Sequence, residues 1–159
     1  MFDLFPTFEK IVRKAYKFSE TREKLTDGRH PFDTRNVYMR LPAHIRNLFD
    51  DEHYAQATFE AYKFIDNEIQ RYSSSKKTGF KLMMEVFNVD NPLIRLTSLD
   101  TVVEKDEQRG YQFIYAGSVL AIRNPRGHKY DIIDSPEKCL DHICLASMLL
   151  RRLDEAGYR

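Results

Sequence analysis

The chain has 159 residues, 42% hydrophobic, 13% aromatic and 31% charged, the profile of one folded unit with a sizeable core rather than a disordered tail. Lys and Arg number 25 against 24 Asp and Glu, a formal net charge of +1, so no bulk positive field attracts nucleic acid and an anionic ligand must be met by a few placed groups. Cys139 and Cys144 would point roughly 140° apart on a helix, too divergent to bridge, which implies a reduced, cytoplasmic chain. The longest apolar stretch, Ile143 to Leu150, is far short of the roughly 20 residues that span a bilayer, and MFDLFPTFEK has no signal-peptide architecture, so no membrane association is expected.

With six Gly and six Pro, and apolar residues at three- and four-residue steps, the chain reads as all-α. Phe8, Ile11, Val12, Ala15 and Phe18 form one stripe behind a Thr7 cap and predict an amphipathic N-terminal helix. Gly28, Pro31 and Pro42 then break the pattern, leaving a connector with a short strand near Val37 to Met39. Residues 1–43 are therefore an N-terminal helix and connector, and residues 44–159 the main helical domain. From His44 to about Tyr72 the spacing predicts one long helix. Tyr54, Thr58, Ala61, Ile65, Ile69 and Tyr72 face its core, and His53, Gln56, Glu60, Lys63 and Asn67 form a polar stripe.

SSSKKTG reads as a flexible link, and FKLMMEVF as a short apolar helix ending before Asn91-Pro92. EKDEQRGYQFIYAGSVLAIRN predicts another long helix, with Gly110, Gly117 and Ala121 on a face that admits close approach of a neighbour. The last helix is announced by Asp134, Ser135, Pro136 and Glu137 and stops near Gly157. Its run from Ile143 to Leu150 is interrupted only by Ser147 and needs cover on nearly all sides, which a small bundle obtains most easily by dimerising.

Metal chemistry finds no support in the spacing: the histidines at 30, 44, 53, 128 and 142 include no i,i+4 pair, and there is no CxxC. No glycine-rich phosphate loop or nucleophile elbow is present either, so no cofactor is expected. What remains is Arg123-Asn124-Pro125-Arg126-Gly127-His128 at the end of a helical pattern. Pro125 is expected to end the helix and Gly127 to turn the chain, holding a guanidinium and an imidazole close together. That pairing suits cleavage of a phosphodiester by the RNA 2′-hydroxyl: histidine moves protons near neutral pH, and arginine stabilises charge building on phosphorus. Arginines are common enough here that about one such spacing arises by chance, and a solvated helix end also favours Arg and His.

Glu60 is a carboxylate available to orient His128 or Arg123, or else an ordinary partner of Lys63 on a solvated face. Arg151 and Arg152 suit the last turn of their helix, and His142 an apolar core or interface. Beside the motif, Arg126 and Lys129 offer phosphate contacts and Tyr130 a ring for base stacking.

LFDDEHYAQATFEAYKFIDNEIQR, DEQRGYQFIYAGSVLAIRNPRGH and CLASMLLRRLD, in that order, resemble the successive helices of the Ymh-like group of bacterial proteins, within the HEPN superfamily. The resemblance spans roughly His44 to Asp154. It implies a helical bundle of four to five helices that dimerises so that two Arg-x4-His motifs share a cleft. It also implies a metal-independent endoribonuclease leaving a 2′,3′-cyclic phosphate, acting in toxin-antitoxin pairs or antiviral defence. Arg123 and His128 are then the catalytic pair, Asn124 the polar residue after the arginine, and Glu60 the acidic residue of the first bundle helix. The expected partners are an RNA substrate, a second copy, and an antitoxin or defence protein. A competing expectation is a non-catalytic helical module that dimerises or docks through the apolar last helix; a DNA-binding regulator ranks last, because no helix has a basic face.

Overall fold

The computed structural model describes residues 28–129 and 131–159, which are helical and contain no strand. The chain divides into two units, residues 1–34 and Arg35–Arg159. The described part of the first holds one short helix, α1 (Pro31–Thr34), whose Phe32 amide donates to His30 Nδ1 at 3.1 Å. The predicted N-terminal amphipathic helix lies outside the described residues.

The second unit is a helical bundle. In order it comprises α2 (Ala43–Asp50), α3 (Tyr54–Ser73), α4 (Gly79–Val86), α5 (Val102–Ser118), a π-helical turn (Val119–Arg123), α6 (Asn124–His128) and α7 (Pro136–Glu155). The expected single helix from His44 is interrupted after Asp50. Glu52 takes a left-handed φ of 63°, and the His53 amide reaches back to the Leu48 carbonyl at 2.8 Å, which closes α2 and restarts the chain as α3. No glycine marks the break, so periodicity alone runs straight through it.

The middle of the predicted α3 stripe is the core: Thr58, Ala61, Ile65 and Ile69 are fully buried or nearly so, with Ala57 beside them, on a helix that packs against α7 and α2, whereas Tyr54 and Tyr72 at the ends of the stripe are only half-buried. Burying side chains of the isoleucine class contributes roughly 1.5–3 kcal/mol each. On the other side α4 packs on α5, where Phe87 and Tyr115 stack with ring centroids 4.4 Å apart. Buried polar groups tie the irregular segment between α4 and α5 to the bundle. Gln108 Oε1 accepts from the Leu96 amide at 2.8 Å, and its Nε2 donates to the carbonyls of Phe87 and Ile94. Tyr115 donates to the Leu149 carbonyl at 2.7 Å and Tyr62 to that of His142 at 3.0 Å.

Residues 35–43 are part of this unit rather than a connector. The Tyr38 amide, expected on a short strand, donates instead to Ser147 Oγ on α7 at 3.0 Å, and its hydroxyl donates to Asp154. Arg35 pairs with Asp141, and Arg151 donates to the Asn36 carbonyl. A side-chain hydroxyl thus satisfies the backbone that a neighbouring strand would have paired.

Helix α7 starts as predicted, with Ser135 accepting from the Lys138 amide and Pro136 in the first turn. Its apolar run is covered mainly from within the chain: Ile143, Ala146, Leu149 and Leu150 are at most 2% exposed, whereas Met148 is 37% exposed. Large apolar side chains stand open at several places, Met39, Val102, Val103 and Ile133 among them, and on the middle of α5 and the turn after it Phe113, Ile114 and Leu120 are 43–58% exposed. A side chain added at Gly110 or Gly117 would meet nothing within 4 Å. Both cysteines are free thiols, and no described helix is long and apolar enough to cross a membrane.

Candidate active site

The motif does not leave the helix where its proline predicts. Helix α5 widens at Val119–Arg123 into a π-helical turn, closed by the Asn124 amide bonding back five residues to the Val119 carbonyl, and continues as α6 through His128. Pro125 falls in the first turn of the new segment, where its missing N–H is tolerated. The Ile122 carbonyl is satisfied by a side chain, accepting from Arg126 Nη1 at 2.7 Å. Gly127 serves close packing rather than a reversal of the chain: a Cβ there would stand 2.8 Å from Phe59 Cε2, inside any permitted contact.

Arg123 and His128, five residues apart, therefore diverge by roughly 140° about the helix axis instead of converging. Arg123 turns inward. Its guanidinium lies 5.6 Å from the Phe59 ring centroid, and Nη2 stands 3.9 Å from Asp66 Oδ2 on α3. Nη1 donates to Asn124 Oδ1 at 3.3 Å. Nε is buried without an acceptor. His128 faces solvent at the end of α6, and its ring has no hydrogen-bond or ion-pair partner among the described residues.

The carboxylate that faces Arg123 is Asp66, which no motif singles out, and not Glu60. Both Asp66 oxygens accept from the Gly79 amide, at 3.0 and 3.2 Å, so the side chain fastens the start of α4 while facing Arg123. Burial raises its pKa above the ordinary value, against the lowering effects of the Gly79 amide and of Arg123. Gly79 has a left-handed φ of 61°, and a Cβ on it would be 3.8 Å from Arg123 Nη1, so α4 begins against the guanidinium. Glu60 lies on the other stripe of α3, where it accepts from Gln56 at 2.9 Å and Lys63 at 3.4 Å and stands 3.9 Å from His44 Nε2. It bonds neither Arg123 nor His128.

Arg126, expected to contact phosphate, is occupied by the protein. Its Nε and Nη2 grip the two oxygens of Asp134 at 2.6 and 2.8 Å, its side chain is 4% exposed, and Nη2 lies 3.3 Å from His142 Nδ1. Because a guanidinium has only donors, His142 Nδ1 accepts, as a neutral ring does. Burial, and then the charge of Arg126, hold the His142 pKa below the ordinary imidazole value. Asp134 would be raised by burial, but its bonds to Arg126 and Lys138 prevail and hold it below the ordinary carboxylate value. Lys129 is exposed and, with His53, Tyr54, Ile132 and Ile133, lines a groove of about 330 Å³ beside the motif. Tyr130 lies outside the described residues.

Neither the curated proteins nor the solved structures contain a match to this chain. A family model described as a protein of unknown function (Hypoth_ymh) matches residues 35–153, almost the whole second unit including Asp66 and the RNPRGH motif, and the chain belongs to that family.

Proposed function

We propose that the protein is a metal-independent endoribonuclease of the HEPN type, with Arg123 and His128 at its centre. The observation that carries this reading is the contrast between the two motif arginines. All the contacts of Arg126 serve the fold, whereas Arg123 is positioned by Asp66 and Phe59 yet makes one internal hydrogen bond, leaving donors for an anion. His128 adds a solvent-facing imidazole with no partner among the described residues, five positions further along.

In the proposed reaction the RNA 2′-hydroxyl oxygen attacks the adjacent phosphorus and the bond to the 5′-oxygen breaks. One imidazole accepts the 2′ proton and a second protonates the departing oxygen, leaving a 2′,3′-cyclic phosphate and a 5′-hydroxyl. Arg123 stabilises the charge gathering on the phosphoryl oxygens. The second imidazole comes from another copy. Divergence of Arg123 and His128 within one chain supports such a composite site, and the open apolar stripe of Phe113, Ile114 and Leu120 leading to the motif supports pairing of two copies there. A role as toxin or defence effector, with an inhibitory or triggering partner, follows from the same reading.

The test is incubation of wild type, Arg123→Ala and His128→Ala with end-labelled single-stranded RNA in EDTA. Cyclic-phosphate ends are expected from wild type, with either variant slower by on the order of a hundredfold or more. Full cleavage by His128→Ala, or none by wild type, overturns the reading. In the latter case a non-catalytic module that pairs through the α5 stripe takes its place.

A further inference from the structure

The link between α3 and α4 is built rather than loose, and it delivers positive charge to the neighbourhood of Arg123. Gln70 Nε2 donates to the Lys77 carbonyl at 2.7 Å, Ser75 Oγ donates to Glu85 at 2.8 Å, and the Gly79 amide is held by Asp66. Gln70 and Asp66 of α3 and Glu85 of α4 thus fix a short segment at three points. Within it Lys77 is taken by Glu85 at 2.6 Å. Lys76 and Lys81 are exposed and without an ion-pair partner among the described residues, and between them Phe80 is 40% exposed. No acidic residue occurs from Ser73 to Met84, so this is a local positive surface on a chain whose overall charge is +1. Its backbone abuts the site, since a Cβ on Gly79 would be 3.8 Å from Arg123 Nη1.

We infer that Lys76, Phe80 and Lys81 form the arm that holds single-stranded RNA alongside Arg123, the two ammonium groups on backbone phosphates and the ring under a base. Alternation of cations with an exposed aromatic is the chemistry that single strands require: lysines neutralise phosphates whatever the sequence, and a ring stacks on an unpaired base that a duplex would keep hidden. The almost neutral charge of the whole chain makes this local placement necessary, because no long-range field gathers the polyanion. The inference deepens the ribonuclease reading and rests on it for the choice of RNA.

The experiment measures binding of a fluorescein-labelled, unstructured RNA 12-mer to full-length His128→Ala protein by anisotropy across a salt series, with Lys76→Ala/Lys81→Ala and Phe80→Ala added to that background. Removing both lysines is expected to weaken binding on the order of tenfold and to reduce the slope of log affinity against log salt by about 1.4, two single-strand phosphate contacts. Phe80→Ala is expected to cost about tenfold with the slope unchanged, the signature of lost stacking. Duplex DNA of equal length is expected to bind more weakly than RNA and to ignore the Phe80 change.

Unaltered affinity and slope in the lysine variant overturn the inference, and if wild type still cleaves, the ribonuclease reading stands without it. Lysine- and Phe80-dependent RNA binding by a protein whose wild type cleaves nothing keeps the arm and removes the nuclease. Equal binding of RNA and duplex DNA, or no binding of either, removes the arm as an RNA site.

Discussion

Gly127 meets Phe59 so closely that a methyl group on the glycine would lie 2.8 Å from the ring's Cε2. Gly127→Ala gains about 1 kcal/mol of helix propensity and incurs about 1–3 kcal/mol of overpacking, so the expected net effect is destabilisation of about 1 kcal/mol. A fall of roughly 2–4 °C in Tm follows for a chain of this size. In a Phe59→Ala background the same substitution is expected to become neutral or stabilising, and a double-mutant cycle by thermal denaturation measures the difference. Equal losses in both backgrounds would sink the account.

Asp66 performs two tasks that one substitution separates. Asn retains an acceptor for the Gly79 amide but removes the charge facing Arg123, whereas Ala abandons a buried amide at a cost of about 1–3 kcal/mol. Because the folded-state pKa of Asp66 is raised, the native state binds the extra proton, and stability falls as pH rises from the ordinary carboxylate value through the raised one. Above that window wild type carries the whole cost of the buried charge. Asp66→Asn is expected to lack this downward step in a Tm-against-pH profile, to remain folded, and to cleave RNA more slowly.

The Arg126–Asp134 pair has the opposite sign. The Asp134 pKa is lowered in the fold, so its contribution is fully present above the ordinary carboxylate value and is lost as pH falls below it through the folded value. Arg126→Ala leaves Asp134 buried and unpaired and is expected to cost about 3–5 kcal/mol. Arg126→Lys is expected to recover only part of this, because an ammonium cannot grip both oxygens of Asp134 and also reach the Ile122 carbonyl. Denaturant melts at neutral pH distinguish the three proteins.

Gln108 satisfies the Leu96 amide and two carbonyls at once. Gln108→Leu preserves much of the volume and removes all three bonds, and a loss above about 2 kcal/mol is expected, with faster amide exchange at Leu96 as the local readout. A leucine variant with unchanged stability and exchange would show that the segment between α4 and α5 is held by its apolar contacts alone.

The parts of this fold legible in the sequence are those written in periodicity and caps: the buried Ala61–Ile65–Ile69 row, the Ser135-Pro136 start of α7, the stop near Gly157. Arg123 and His128 are visible in the sequence as a spaced pair, but the geometry that separates them is not. A π-helical turn has no composition of its own, and Pro125 signals a helix end as readily as a fresh first turn. Glu60 sits among polar residues, which is what a solvated face looks like. Asp66 stands instead beside Ile65 and one turn from Tyr62 and Ile69, within the buried stripe. A lone carboxylate at core spacing is the misfit that marks a partnered group, and Gln108 and Gln112 on α5 carry the same signal.

The wide turn at Val119–Arg123 stores one residue more than a regular α-helix would fit in the same length. Rewound as α-helix, every position after it would advance by one place and rotate by about 100°. Arg126 would then be driven into the ring of Phe59 where a bare hydrogen now fits, and Pro125, with nothing to donate, would be offered to Asp134. That single stored residue decides which side chain answers each of two fixed partners, Phe59 on α3 and Asp134 just before α7, and so keeps the whole RNPRGH segment in phase with the bundle it rests on.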